Sequence, residues 1–215
     1  MEGVSASRQD GSYELWGGIL GLSLVLALVV LLPPVDSILE EHEGLHHLQH
    51  ALTFGLSLIS GTAAYGLLRT ASINASGMVK RFSRGLLVAN HRANPGGIPS
   101  LLFAAVLVVF WHIPYFFNLA VLDDFVHGLE HLCFLLAGGS VGIGLHQMNK
   151  WTRLGSLIIA ELVMLLFSVL IVVFELHVYE VYPREHEFVF GIGMIYSMMP
   201  VMLYTVYRFL VEQVS

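Results

Sequence analysis

Between Trp16 and Val35 the chain carries no Asp, Glu, Lys or Arg. The same holds from Leu45 to Leu68 and from Ile98 to Phe117, while Leu154 to Phe174 holds a single acid, Glu161. Each run is about the 20 residues that cross a bilayer as a helix. In hydrocarbon every backbone N–H and C=O must find its partner within the chain, so only helices and closed barrels span it. Barrel strands are about 10 residues of alternating polarity, and these runs are long and continuous. The chain is therefore expected to be all-α, a polytopic membrane protein with a bundle of about six transmembrane helices forming one domain over 1–215. The spans are expected at about 16–35, 45–68, 98–117, 125–145, 154–174 and 188–210. Charge agrees: 12% of the 215 residues are charged and mean hydropathy is +0.74, where soluble domains carry about 25%.

The connections set the orientation. Met1 to Tyr13 is polar and lacks the basic opening and small-residue cleavage site of a signal peptide, so it reads as a cytoplasmic tail. Ala71 to Gly97 is the longest connection, and its middle, Met78 to Val88 (M-V-K-R-F-S-R-G-L-L-V), reads as a basic amphipathic helix at the lipid surface. Arg8, Arg69, Lys80, Arg81, Arg84, Arg92, Lys150, Arg153 and Arg208 fall on one side of the six-span arrangement, and Arg184 falls on the other. By the positive-inside rule both termini are cytoplasmic, in a multi-pass protein of the plasma membrane. The opposite connections carry Asp36, Glu40, Glu41, Glu43, Asp123, Asp124, Glu130, Glu180, Glu185 and Glu187, an acidic rim that attracts cations. The net charge of -6 and the lack of basic patches exclude a nucleic-acid partner, leaving the lipid bilayer as the first one. The single cysteine, Cys133, excludes an internal disulfide framework and a cysteine zinc cluster.

Eleven histidines are the unusual count. On this topology all but His91 and His146 lie at or near the external face. His46 and His50 stand in the first turns of span two, and His127 and His131 stand at the same depth in span four. A spacing of four residues puts each pair on one helix face. His112 lies near the outer end of span three. Ionisable groups at membrane depth face the bundle interior and mark function by default, and imidazole is the commonest metal ligand. His46, His50, His112, His127 and His131 are thus the candidate metal ligands, with Asp124, Glu130 and His47 as groups that could orient the imidazoles. His42, His177 and His186 read more simply as solvated end residues.

Other features carry less. Met194, Met198 and Met202 recur every four residues and could relay Cu(I), although methionines in apolar helices mostly pack. Glu161 is a deep carboxylate in span five. Cys133 lies two residues past His131 and so points away from it. The Asn74-Ala-Ser76 sequon falls on the cytoplasmic side.

The segment W-H-I-P-Y-F-F-N-L-A-V-L-D-D-F-V-H-G-L-E-H-L-C-F-L-L-A-G resembles the multi-pass CtaG family of cytochrome c oxidase assembly factors. Members carry a W-H-x-P segment followed by H-x-x-E-H-x-x-F-L-x-A-G. Here these positions are Trp111, His112 and Pro114, then His127, Glu130, His131, Phe134, Leu135, Ala137 and Gly138. The match covers the Trp111–Gly139 hairpin only. The resemblance implies a polytopic protein tied to copper insertion into a haem-copper oxidase of a respiratory chain, with those histidines as copper ligands.

The residues themselves leave alternatives open. A zinc-dependent membrane hydrolase would use three histidines and a metal-bound water, with Glu130 or Asp124 as general base. A haem b electron-transfer protein would take one histidine from each of two facing helices. A structural subunit of a membrane complex would need none of this chemistry. No catalytic residue is assigned, and the leading expectation is a membrane metal-binding protein that handles copper.

Overall fold

The computed structural model of the chain describes residues 2–196, Leu203 and Tyr207, with side chains from Ser12 onward. Most of the described residues are helical and none lies in a strand. Helix α1 (Glu2–Val30) leads through two residues into α2 (Pro33–Glu40), and α3 (Glu43–Asn74) is followed by α4 (Gly77–Ala93). A 3-10 turn at Pro95–Gly97 opens α5 (Ile98–Trp111). Then come α6 (Pro114–Leu122), α7 (Asp124–Gly144) and α8 (Lys150–Val172), and residues 184–196 are helical again.

Among the described residues four helices are long and apolar enough to cross a membrane, within Ser12–Val30, Glu43–Asn74, Asp124–Gly144 and Lys150–Val172. A fifth crossing is available if α4 and the Pro95–Trp111 segment, bent by 58° against each other, form one broken span. The expected sixth span, 188–210, lies largely outside the described residues.

Polarity is arranged as a bilayer requires. Leu22, Val25 and Leu28 on α1, Val106 and Val109 on α5, and Ile159, Leu162 and Leu166 on α8 are exposed, whereas Ser23, Thr53, Ser57, Ser60 and Ser168 are buried. Lipid tails give helices no hydrophobic reason to associate, so close packing and interhelical hydrogen bonds must hold them together. The tightest contact is between α3 and α7. A Cβ on Gly138 would collide with the Phe54 carbonyl, and one on Gly142 with that of Leu58. On the facing helix a Cβ on Gly61 would strike the Gly139 carbonyl. Ser57 donates to the Leu135 carbonyl, and Thr62 donates to that of Gly142 at 3.3 Å. Helix α1 packs on the other side of α3, where the Ser23 and Ser60 hydroxyls meet at 2.7 Å.

Two local departures from the expected spans have clear causes. The span expected over 98–117 ends at Trp111, because Pro114 lacks an N–H and forces Ile113 into an extended conformation. His112 caps α5, and α6 then continues past Phe117 to Leu122. The turn expected at 118–124 shrinks to Asp123, whose carboxylate accepts the amides of Phe125 and Val126, both at 3.0 Å. The connection expected over 71–97 is mostly α4. Its Arg84 and Lys80 donate to the carbonyls of Ser72 and Ile73 at 3.1 and 3.0 Å, satisfying the negative end of α3.

Gly142→Leu should therefore lower stability by at least about 1–3 kcal/mol, the usual cost of overpacking. Thermal unfolding in detergent reads this, with Gly85→Leu as a control, since a Cβ there meets nothing within 4 Å. An unchanged melting temperature in Gly142→Leu would refute the backbone contact.

Candidate metal centre

The closest approach of α3 and α7 fixes what happens a few turns along both helices. On α3 the 3.6-residue period stacks His46, His50, Thr53 and Ser57 along one buried face, and on α7 it stacks His127, Glu130, His131 and Phe134. These faces meet at the end of the bundle where α2 returns from α1. The floor is aromatic: the His50 ring stacks on Phe134 at 4.3 Å, and Phe117 lies 5.1 Å from the His46 ring and 5.0 Å from that of His47.

Glu130 is at the middle and fully buried. Its Oε2 lies 3.6 Å from His46 Nε2, 3.4 Å from His50 Nε2 and 3.6 Å from His127 Nδ1. Beside it, His127 Nε2 lies 3.0 Å from Glu40, 3.2 Å from Asp36 and 2.9 Å from His131 Nε2. Asp36 is also 3.4 Å from His131 Nε2. Two groups result, His46 with His50 and Glu130, and Asp36 with His127 and His131. Within each, the donor atoms all lie within 4.8 Å of one another.

The hydrogen bonds around the rings assign their protons. Tyr182 donates its hydroxyl proton to the Glu40 carbonyl at 3.0 Å, so His46 Nδ1–H donates to the Tyr182 oxygen at 2.9 Å. Burial raises the ionisation of Tyr182 above the ordinary tyrosine range, with Glu40 adding to it, so the hydroxyl keeps that proton. A neutral His46 then carries its free lone pair on Nε2, aimed at Glu130. The same logic gives His47 an Nδ1–H donated to the Glu43 carbonyl at 3.0 Å, and His112 one donated to that of Val108 at 2.7 Å. Metal-binding histidines almost always hold their second nitrogen in this way.

Several buried donor atoms have no hydrogen-bond partner: His46 Nε2, both His50 nitrogens, both Glu130 oxygens, and Nδ1 of His127 and His131. Each such atom costs about 1–3 kcal/mol if left unsatisfied. A cation among them would satisfy several at once. The buried groups could hold a metal ion, and a set of imidazole nitrogens and carboxylate oxygens without thiolate suits zinc, copper, nickel or iron.

The two acids on α2 titrate in opposite senses. Burial raises Asp36, but hydrogen bonds from Gln49 and His127 outweigh it and hold the carboxyl below its usual range. Gln49 donates to Asp36 and, at 3.2 Å, to the Val30 carbonyl, which ties α2 to the end of α1. Glu40 is raised, first by burial and then, against the pull of His127, by the neighbouring Asp36 charge.

Of the residues expected from sequence, His46, His50, His127 and His131 come together. Glu130, expected to orient imidazoles, stands among the atoms that could hold an ion. His47 is buried next to them, its ring 4.1 Å from Phe190 and 5.5 Å from His112. His112 sits at the α5–α6 break, outside both groups. Asp124 is exposed on the first turn of α7 and belongs to neither. Cys133 packs near Trp111 and Phe134, also outside them. His42 and His186, expected to be solvated, are exposed and half-buried respectively and pair with each other at 3.1 Å. Met194 is buried, and Met198 and Met202 lie outside the described residues. Sequence reasoning missed Asp36 as a candidate donor, Glu40 as a partner of His127, Gln49 as the tether of Asp36 and Tyr182 as the partner of His46. Their one signal was the four-residue spacing of Asp36 and Glu40 after a Pro-Pro helix start.

Tyr182→Phe frees His46 Nδ1 and should weaken zinc or copper binding by about 10–100-fold. Isothermal titration on the purified protein measures it, and an unaltered affinity would show that the ring needs no such anchor.

No curated protein and no solved structure matches the chain. Residues 21–212 match a family model described as a protein of unknown function, DUF1404, and the chain belongs to that family.

Proposed function

We propose that this protein binds copper at the extracytoplasmic face of the plasma membrane and handles it for a respiratory haem-copper oxidase. The observation that carries the metal-binding reading is the buried Glu130 carboxylate with nitrogens of His46, His50 and His127 around it at 3.4–3.6 Å. Copper heads the divalent affinity order for nitrogen and oxygen donors. The resemblance of Trp111–Gly139 to the CtaG assembly factors supports the link to an oxidase, and it includes His112, His127, Glu130 and His131. The positive-inside distribution supports six spans with both termini cytoplasmic, which puts the cluster under the acidic external rim. Carboxylates there raise the local cation concentration, and the partly exposed Asp36 and Glu40 stand between solvent and the buried set.

Zinc is the second reading, favoured by the absence of a thiolate or thioether from either donor group. Elemental analysis of protein purified without added metal separates the two. Copper in the native protein, lowered in His46→Ala/His50→Ala with the helical content intact, is the expected result. Zinc in its place would support the second reading, and no bound metal would overturn both. A strain lacking the gene should assemble oxidase depleted in copper, restored by the wild-type chain and not by His131→Ala. Full copper content in that strain's oxidase would refute the assembly role.

A further inference from the structure

The two donor groups share no residue, yet one side chain touches both. His127 Nε2 faces Asp36, Glu40 and His131, and its Nδ1 lies 3.6 Å from Glu130 on the other side of the ring. A single ion can take only one of the two lone pairs of an imidazole. One ion would therefore leave a complete carboxylate–imidazole set unused on the opposite side. We infer that the centre is built for two ions, an inner one held by His46, His50 and Glu130 and an outer one held by Asp36 and His131, with the His127 ring bridging them.

This inference rests on the metal-binding reading and extends it. Coordination forms one dative bond at each ring nitrogen, and the remaining ring proton leaves to solvent as the second ion binds. No electron is transferred. The charges close in the way a buried site needs. Two divalent ions are matched by the carboxylates of Asp36, Glu40 and Glu130 and by the bridging imidazolate. With a single divalent ion and a neutral ring, the same three carboxylates leave a net negative charge in the bundle.

Burial differs between the two positions. The His46, His50 and Glu130 side chains are at most 3% exposed, whereas those of Asp36 and Glu40 are 22% and 30% exposed. The outer ion faces solvent, and the inner one lies behind it. Gln49 fixes the Asp36 carboxylate, and Tyr182 fixes His46, so each position has its own support from outside the ligand set.

The test loads the full chain in detergent with Cu(II) alone, in a His42→Ala background that removes the exposed His42–His186 pair from the count. Copper per chain is measured by elemental analysis, and unpaired spins by electron paramagnetic resonance. Two ions per chain are expected, with a spin count well below the copper count, since Cu(II) ions sharing an imidazolate couple antiferromagnetically. Asp36→Asn/His131→Ala and His46→Ala/His50→Ala should each retain one ion and recover its full spin. The spin deficit in the unmutated centre needs no variant of that centre to fold. One ion per chain would overturn the inference and leave the metal-binding reading standing, whereas none would overturn both. Two ions with the full spin count would refute the bridge.

Discussion

Helices α3 and α7 touch backbone to backbone because Gly61, Gly138 and Gly142 have no side chain to hold them apart. In lipid such contact substitutes for the hydrophobic effect, which cannot distinguish a leucine against a leucine from a leucine against an acyl chain. The contact also sets a register. With the two axes locked at Gly138 and Gly142, the residues one to three turns along must face each other, and those residues are His46, His50, His127, Glu130 and His131. A bulkier seam would separate the same side chains and leave each one alone in an apolar setting. The polar cluster and the glycine seam are therefore one arrangement viewed at two levels along the bundle.

The cluster draws on several other elements. Helix α2 lays Asp36 and Glu40 against α7, and the segment 173–183 brings Tyr179 and Tyr182 over the aromatic floor. That segment has little regular structure, and a single carboxylate organises it: Glu187 accepts the amides of Val178 and Tyr179 at 2.7 and 2.5 Å. Tyr179 in turn donates to the His112 carbonyl at 3.3 Å, which ties the loop to the α5–α6 break. Side chains far apart in sequence thus fix one another, and the His46 proton ends up on the nitrogen away from Glu130.

The helices could be read from the chain because uncharged runs of about 20 residues have few other fates in a membrane protein. The histidine pairs could be read because a period of 3.6 makes i,i+4 neighbours share a face. Glu130 was visible for the same reason, three residues from His127 and one from His131. Asp36 and Glu40 were not, since an acidic linker looks the same whether it points to water or folds back on its neighbour. Their position depends on Gln49 and on the path from α1 to α3, which are tertiary facts. His112 marked the helix end through its spacing from Pro114, and its ring lies beside those of His47 and Phe134, outside both donor groups. The four-helix minimum also reflects geometry absent from composition, because α4 and α5 meet at 58° across Gly96 and Gly97.

The length of α3 has a consequence for where the histidines sit. Its 32 residues extend about 48 Å at 1.5 Å per residue, against a hydrocarbon thickness of about 30 Å. If Arg69 marks one edge of the hydrocarbon, about 20 residues of rise place the opposite edge near Gln49. His46 and His50 then straddle the boundary between acyl chains and headgroups. At that level water and phosphate are within reach, so a cation approaching the cluster sheds its hydration shell in stages instead of in one costly step.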